Sequence, residues 1–133
     1  MEFYEKAKDL LSKNQLEECH EALNKLIDSR NSLSSNSLSL QVLADAYNTR
    51  GHIKYLWVDF DAAILDYSEA IQCDPSLAVA YYNRGQIHYR MGRYSLAEVD
   101  LLQALKLKPD FTDAALNLRQ VQKDIASGHK FNV

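Results

Sequence analysis

Residues 44–77 read ADAYNTRGHIKYLWVDFDAAILDYSEAIQCDPSL, and residues 78–111 read AVAYYNRGQIHYRMGRYSLAEVDLLQALKLKPDF. Each segment is 34 residues long, and the two align without a gap. Eleven aligned positions are identical. They pair Ala44 with Ala78, Ala46 with Ala80, Tyr47 with Tyr81, Arg50 with Arg84, Gly51 with Gly85 and Ile53 with Ile87. Tyr55 then pairs with Tyr89, Ala63 with Ala97, Asp66 with Asp100, Ala70 with Ala104 and Pro75 with Pro109. A fixed period of this size is the signature of a stacked repeat array.

The residue types give the period a mechanism. Gly51 and Gly85 stand where only a very small residue lets two helices approach closely. Ala63, Ala70, Ala97 and Ala104 do the same on the second helix of each unit. A large side chain there would overpack the crossing, at a cost of about 1–3 kcal/mol. Pro75 and Pro109 cannot continue a helix, so each unit stops there. The order aromatic, Gly, Ala, aromatic or Leu, Ala, Pro resembles the tetratricopeptide repeat, a 34-residue helix–turn–helix. The resemblance is close at Tyr47-Asn48-Thr49-Arg50-Gly51 and Tyr81-Tyr82-Asn83-Arg84-Gly85. It implies an all-α, right-handed superhelix of three helix–turn–helix repeats with a C-terminal capping helix.

The expected organisation is a single domain over 1–133. A degenerate first repeat occupies 1–33. A Ser/Asn-rich insertion spans 30–39, repeat 2 spans 44–77, repeat 3 spans 78–111, and the capping helix spans 112–127. In the first repeat, Phe3, Ala7 and Leu10 form one helical stripe, and Leu16, Cys19, Leu23 and Leu26 form another. Ala7 takes the glycine position and Cys19 the alanine position. Leu16 to Phe60 is 44 residues where the period is 34, so this copy carries ten extra. Residues 29–39 have loop composition. Expected helix caps are Asn14, Ser37 or Ser39, Asp59, Ser76, and Asp110 or Thr112 at starts, with Gly128 at the last end. Val58 occupies the place that Gly92 fills one period later. Ala114, Leu118, Val121 and Ile125 give the seventh helix an apolar stripe to cover the last repeat.

Composition and charge narrow the function. A net charge of −3 offers no strong footprint for nucleic acid or an anionic membrane. No apolar run approaches the ~18 residues that span a bilayer. The start, Met1-Glu2-Phe3-Tyr4-Glu5-Lys6, lacks a signal-peptide core, so a cytoplasmic location is expected. Cys19 and Cys73 fall on helical apolar positions and read as small buried hydrophobes. No phosphate loop, zinc spacing or catalytic triad occurs, so no catalytic residue, cofactor or metal is expected. His52 and His88 lie 36 apart with no third ligand, which argues against a metal site.

Two sets of residues remain. Arg50 and Asp66 are 16 apart, as are Arg84 and Asp100, a spacing that suits ion pairs between the two helices of one repeat. The stripe beside the packing face reads Tyr4, Lys8 and Leu11, then Asn48, His52 and Tyr55, then Tyr82, Gln86 and Tyr89, with Arg90 extending it. Aromatic and hydrogen-bonding groups together suit a peptide or partner helix in a concave groove. The expected role is therefore a protein-interaction adaptor for an unidentified protein or peptide, acting as a monomer rather than a homodimer. The alternatives are a chaperone cofactor gripping an acidic C-terminal tail and a self-associating structural subunit.

Two departures from the resembled family bear on this. The family often has Tyr where this chain has Lys54 and His88, so Lys54 is expected to lay its stem on apolar surface with its head in water. Chaperone-binding members hold an acidic tail with Lys, Asn, Asn, Lys and Arg. The matching positions here are Tyr4, Lys8, Thr49, Val79 and Asn83, and none agrees. Shifting by one repeat gives Asn48, His52, Asn83, Asp113 and Asn117, with one agreement.

Overall fold

The computed structural model describes residues 2–12, 15–32 and 39–128, and for 2–4 and 30–32 the backbone alone. Seven α-helices form among these residues: α1 Glu2–Ser12, α2 Leu16–Ser32, α3 Leu40–Leu56, α4 Phe60–Cys73, α5 Ala78–Arg90, α6 Tyr94–Leu107 and α7 Thr112–Ala126. No strand is present among them. The chain divides into two compact units, Met1–Pro75 and Ser76–Val133. Asn14 and Ser37 lie outside the described residues, as does the 33–38 part of the insertion.

In the first unit, helices pair by close approach. A Cβ on Gly51 of α3 would stand 2.8 Å from Cε1 of Tyr67 on α4. Tyr67 is fully buried, with Ala63 and Ala70 beside it on the same helix. The α1–α2 pair uses the same device with different residues. Ala7 and Cys19 are both buried, and the Cys19 thiol donates to the Ala7 carbonyl at 3.1 Å. Burial pushes the Cys19 pKa up, which keeps it a thiol. Leu23, Leu26, Leu43 and Ile53 complete this core, each worth about 1.5–3 kcal/mol of burial.

The second unit repeats the crossing. A Cβ on Gly85 of α5 would meet Asp100 Cβ and Leu101 Cγ of α6, both at 3.2 Å. Tyr94, Ala97, Leu101 and Ala104 of α6 form the core with Ala114 and Val121 of α7. Leu118 and Ile125 pack against it. Helix α7 keeps the repeat register: Ala114 lies one period beyond Ala80, and Val121 one beyond Ile87, all buried. The glycine position is instead Arg119, which is exposed. Helix α7 is thus the first half of a further repeat, without the gap that would admit a second helix as α6 is admitted at Gly85.

The α5–α6 and α3–α4 turns close in the same way. Gly92 sits in the left-handed region at φ 77°, its N–H bonding Tyr89 O at 3.0 Å while Arg93 N–H bonds His88 O at 2.8 Å. This is the Schellman arrangement that favours glycine. Val58 makes the same turn at φ 63°, with its N–H on Tyr55 O at 2.9 Å and Asp59 N–H on Lys54 O at 2.9 Å. A β-branched residue is a steric misfit there. Gly128 ends α7 at φ 78°.

The starts depart from expectation. Ser39 caps α3, its Oγ accepting from Val42 N–H at 3.1 Å, with extended backbone at ψ 152°. Asp59 stands at the start of α4 but its side chain makes no cap bond. Leu77 and Phe111, not Ser76, Asp110 or Thr112, are the N-cap residues of α5 and α7, again without a side-chain bond. The backbone explains this: ψ is 75° at Asp59, 88° at Leu77 and 89° at Phe111, short of the extended geometry that side-chain capping uses. Helix α2 also runs on through Ser32, into residues expected as loop. It meets no proline, whereas Asp74 and Lys108, kept out of helical geometry by Pro75 and Pro109, stop α4 and α6.

Val58→Gly should raise stability by about 1 kcal/mol, because the left-handed strain of a Cβ disappears. Gly51→Ala should lower it by about 1–3 kcal/mol, because the Tyr67 ring must move. Denaturant midpoints at constant slope measure both.

Candidate functional site

The repeat builds one polar cluster in each unit. Arg50 donates through Nε to Asp66 Oδ2 at 2.8 Å and through Nη2 to Oδ1 at 2.7 Å. Its guanidinium lies over the Tyr47 ring at 5.5 Å, and its Nη1 reaches Asn24 Oδ1 on α2 at 2.9 Å. Arg84 repeats the fork on Asp100 at 2.8 Å for both bonds, and lies over Tyr81 at 5.8 Å. Both carboxylates are buried. A planar two-bond pair of this kind fixes orientation as well as energy.

The third member of each cluster differs from expectation. Lys54 does not carry its ammonium into water; Nζ lies 3.0 Å from Asp66 Oδ2, because the buried carboxylate is within reach of its stem. The matching His88 is buried, with Nε2 3.8 Å from Asp100 Oδ2. In each cluster guanidinium and carboxylate offset one another, and in the first Lys54 adds a second cation.

The stripe residues fall into both units. In the first, Lys8 is exposed, and the side chain of Tyr4 lies outside the described residues. Asn48 is half-buried. His52 is exposed, with its ring stacked on Tyr55 at 6.2 Å, and Tyr55 stacks in turn on Phe60 at 5.8 Å. In the second unit, Gln86 donates to Tyr82 OH at 3.0 Å, and the Tyr82 ring tilts against Phe111 at 4.8 Å. Tyr89 donates to Asp124 Oδ2 of α7 at 2.5 Å, and Gln120 donates to the other oxygen at 3.0 Å. Donation to Asp124 pushes the Tyr89 pKa up to about 12. Its hydroxyl is therefore committed to α7, and its ring lies 5.3 Å from that of Tyr94.

Between α5 and α7 this leaves a cleft of about 320 Å³, lined by Gln86, Tyr89, Arg90, Leu101, Asn117 and Gln120. Three carboxamides line it, each able to donate and accept. Arg90 supplies a cation, and the buried Leu101 lies at the cleft floor. Reasoning from the sequence named Gln86, Tyr89 and Arg90 for a groove, weighed Asn117 only as a clamp position, and did not name Gln120. The signal was present: one further period carries Asn83 onto Asn117 and Gln86 onto Gln120. Among the described residues, no group of three or more His, Cys, Asp or Glu is placed to hold a metal.

Comparison with known proteins agrees with this geometry. The tetratricopeptide repeat family model matches residues 78–111, and a second TPR repeat model matches 59–92. Residues 59–111 match tetratricopeptide repeat models. The second match is one full period read from the other helix, α4 to α5. The fold is similar to the first TPR of Spaghetti (RPAP3), solved with the HSP90 peptide SRMEEVD, at 19% identity and TM-score 0.80, covering 93% of this chain and 90% of that one. It is similar to the Arabidopsis OM64 TPR domain at 22% identity and TM-score 0.77, covering 91% and 92%. The first TPR domain of human RPAP3 matches at 22% identity and TM-score 0.75, covering 94% and 91%. These likenesses establish a tetratricopeptide repeat fold.

Asp66→Asn, which takes the carboxylate from beneath two cations, should cost about 3–5 kcal/mol of stability. Tyr89→Phe should cost about 1 kcal/mol, because only the bond to Asp124 is lost. Urea unfolding of each variant beside wild type checks the contrast.

Proposed function

We propose that the chain is a non-catalytic protein–protein interaction adaptor that holds an extended peptide or partner helix. The α5–α7 cleft carries this reading. Gln86, Asn117 and Gln120 match the donor and acceptor pattern of a peptide main chain, and Arg90 meets a carboxylate. Tyr82 and Tyr89 support the wall. The first unit contributes its own stripe, Tyr4, Lys8, Asn48, His52 and Tyr55. The adaptor acts as a cytoplasmic monomer that binds neither nucleic acid nor membrane. Among the described residues, no helix is long and apolar enough to cross a membrane.

The RPAP3 relative was solved with an acidic peptide, so a chaperone-cofactor role is the second reading. The five positions Tyr4, Lys8, Thr49, Val79 and Asn83 oppose it, because they offer one ammonium where the clamp needs three cations.

Affinity capture with wild type, with Gln86→Ala/Gln120→Ala and with a remote Lys25→Ala control tests the first reading. Preys lost only with the double variant support the cleft; preys that survive it contradict the site. The peptide SRMEEVD, titrated at low and high salt, should show no salt-sensitive binding. Binding that weakens with salt would favour the cofactor reading.

A further inference from the structure

We propose that His88 is an acid-sensitive point of the fold, and that protonation of its imidazole loosens α5 from α6. The two repeats set up the comparison. At the same repeat position, Lys54 places a permanent cation 3.0 Å from Asp66. His88 places an imidazole 3.8 Å from Asp100, beyond a good hydrogen bond, and is 8% exposed. Its Nδ1 is buried with no hydrogen-bond partner among the described residues.

The charged groups that face it are Asp100 of α6, Arg84 on its own helix and Arg93 in the α5–α6 turn. Asp100 is held by both bonds of Arg84 and stands 3.8 Å from the ring, so it favours the imidazolium by charge without a good hydrogen bond. Arg84 and Arg93 oppose that charge. Burial is the largest influence and lowers the imidazole pKa; Asp100, the next, raises it; Arg84 and then Arg93 lower it, and the pKa is held below its usual value. The folded chain then binds fewer protons than the unfolded chain as pH falls through about 6.5. Stability is full above that value and declines below it, before the carboxylates themselves titrate. The same helix pair carries Gln86, Tyr89, Arg90 and Leu101, so the cleft loosens with it. His20 in the first unit is displaced in the same direction, by partial burial and then by Lys54 and Arg50, so substitution at His88 is needed to separate the two.

Histidine side-chain NMR on the wild-type chain, with amide exchange at pH 7.5 and 5.5 corrected for intrinsic rates, tests this. The His88 ring should titrate below 6.5. Protection in α5 and α6 should fall by up to about tenfold per pH unit, the limit for one proton, and by more than in α3 and α4. His88→Gln should remove the excess fall. The inference is overturned if His88 titrates at or above 6.5, if α5 and α6 lose no more protection than α3 and α4, or if His88→Gln keeps the wild-type pH dependence.

Discussion

The two glycines let a helix backbone come against its partner's side chains, and the rest of each helix pair follows from that distance. At Gly51 there is no room for a Cβ beneath the Tyr67 ring, and at Gly85 almost none above Asp100 and Leu101. Arg50 and Arg84 directly precede the glycines, and Asp66 and Asp100 sit at or beside the surfaces they touch. The close approach therefore delivers each guanidinium onto a buried carboxylate. An Arg–Asp pair in so dry a place would be a liability if its geometry were loose. Here the helix spacing fixes it, and the fork in turn resists sliding of one helix along the other.

The repeats are not equivalent beyond that shared pair. The second unit has glycine at its turn and a histidine beside its carboxylate. The first has Val58 at the turn and a lysine beside the carboxylate, plus Asn24 from α2 joining the cluster. The first repeat replaces the glycine and alanine with Ala7 and Cys19, and the thiol turns a packing contact into a hydrogen bond. Helix α7 replaces the glycine with Arg119. Each substitution sits where the 34-residue pattern makes it conspicuous.

That pattern is why so much was legible. Helices α4 and α6 end at prolines, and their spans follow directly from the aligned residues. The Arg–Asp partners follow from two equal spacings. The misses have local causes. Caps at Asp59, Ser76 and Asp110 depend on a backbone angle that residue type does not reveal. The extension of α2 reflects the absence of a breaker, a weaker signal than the presence of one. The fate of Lys54 depended on a carboxylate twelve residues away on another helix. The cleft was half legible, because the period was carried into α7 only for the clamp positions Asp113 and Asn117 and not on to Gln120.

The contact between helix backbone and side chain at the glycines is open to direct observation by proton NMR. The Gly51 α-protons should show strong NOEs to the ring protons of Tyr67, with resonances displaced by the ring current, and those of Gly85 should show NOEs to the Leu101 methyls. Gly51 α-protons at unperturbed shifts, with no NOE to Tyr67, would mean that the helices stand apart and that something other than the missing side chain holds the repeat together.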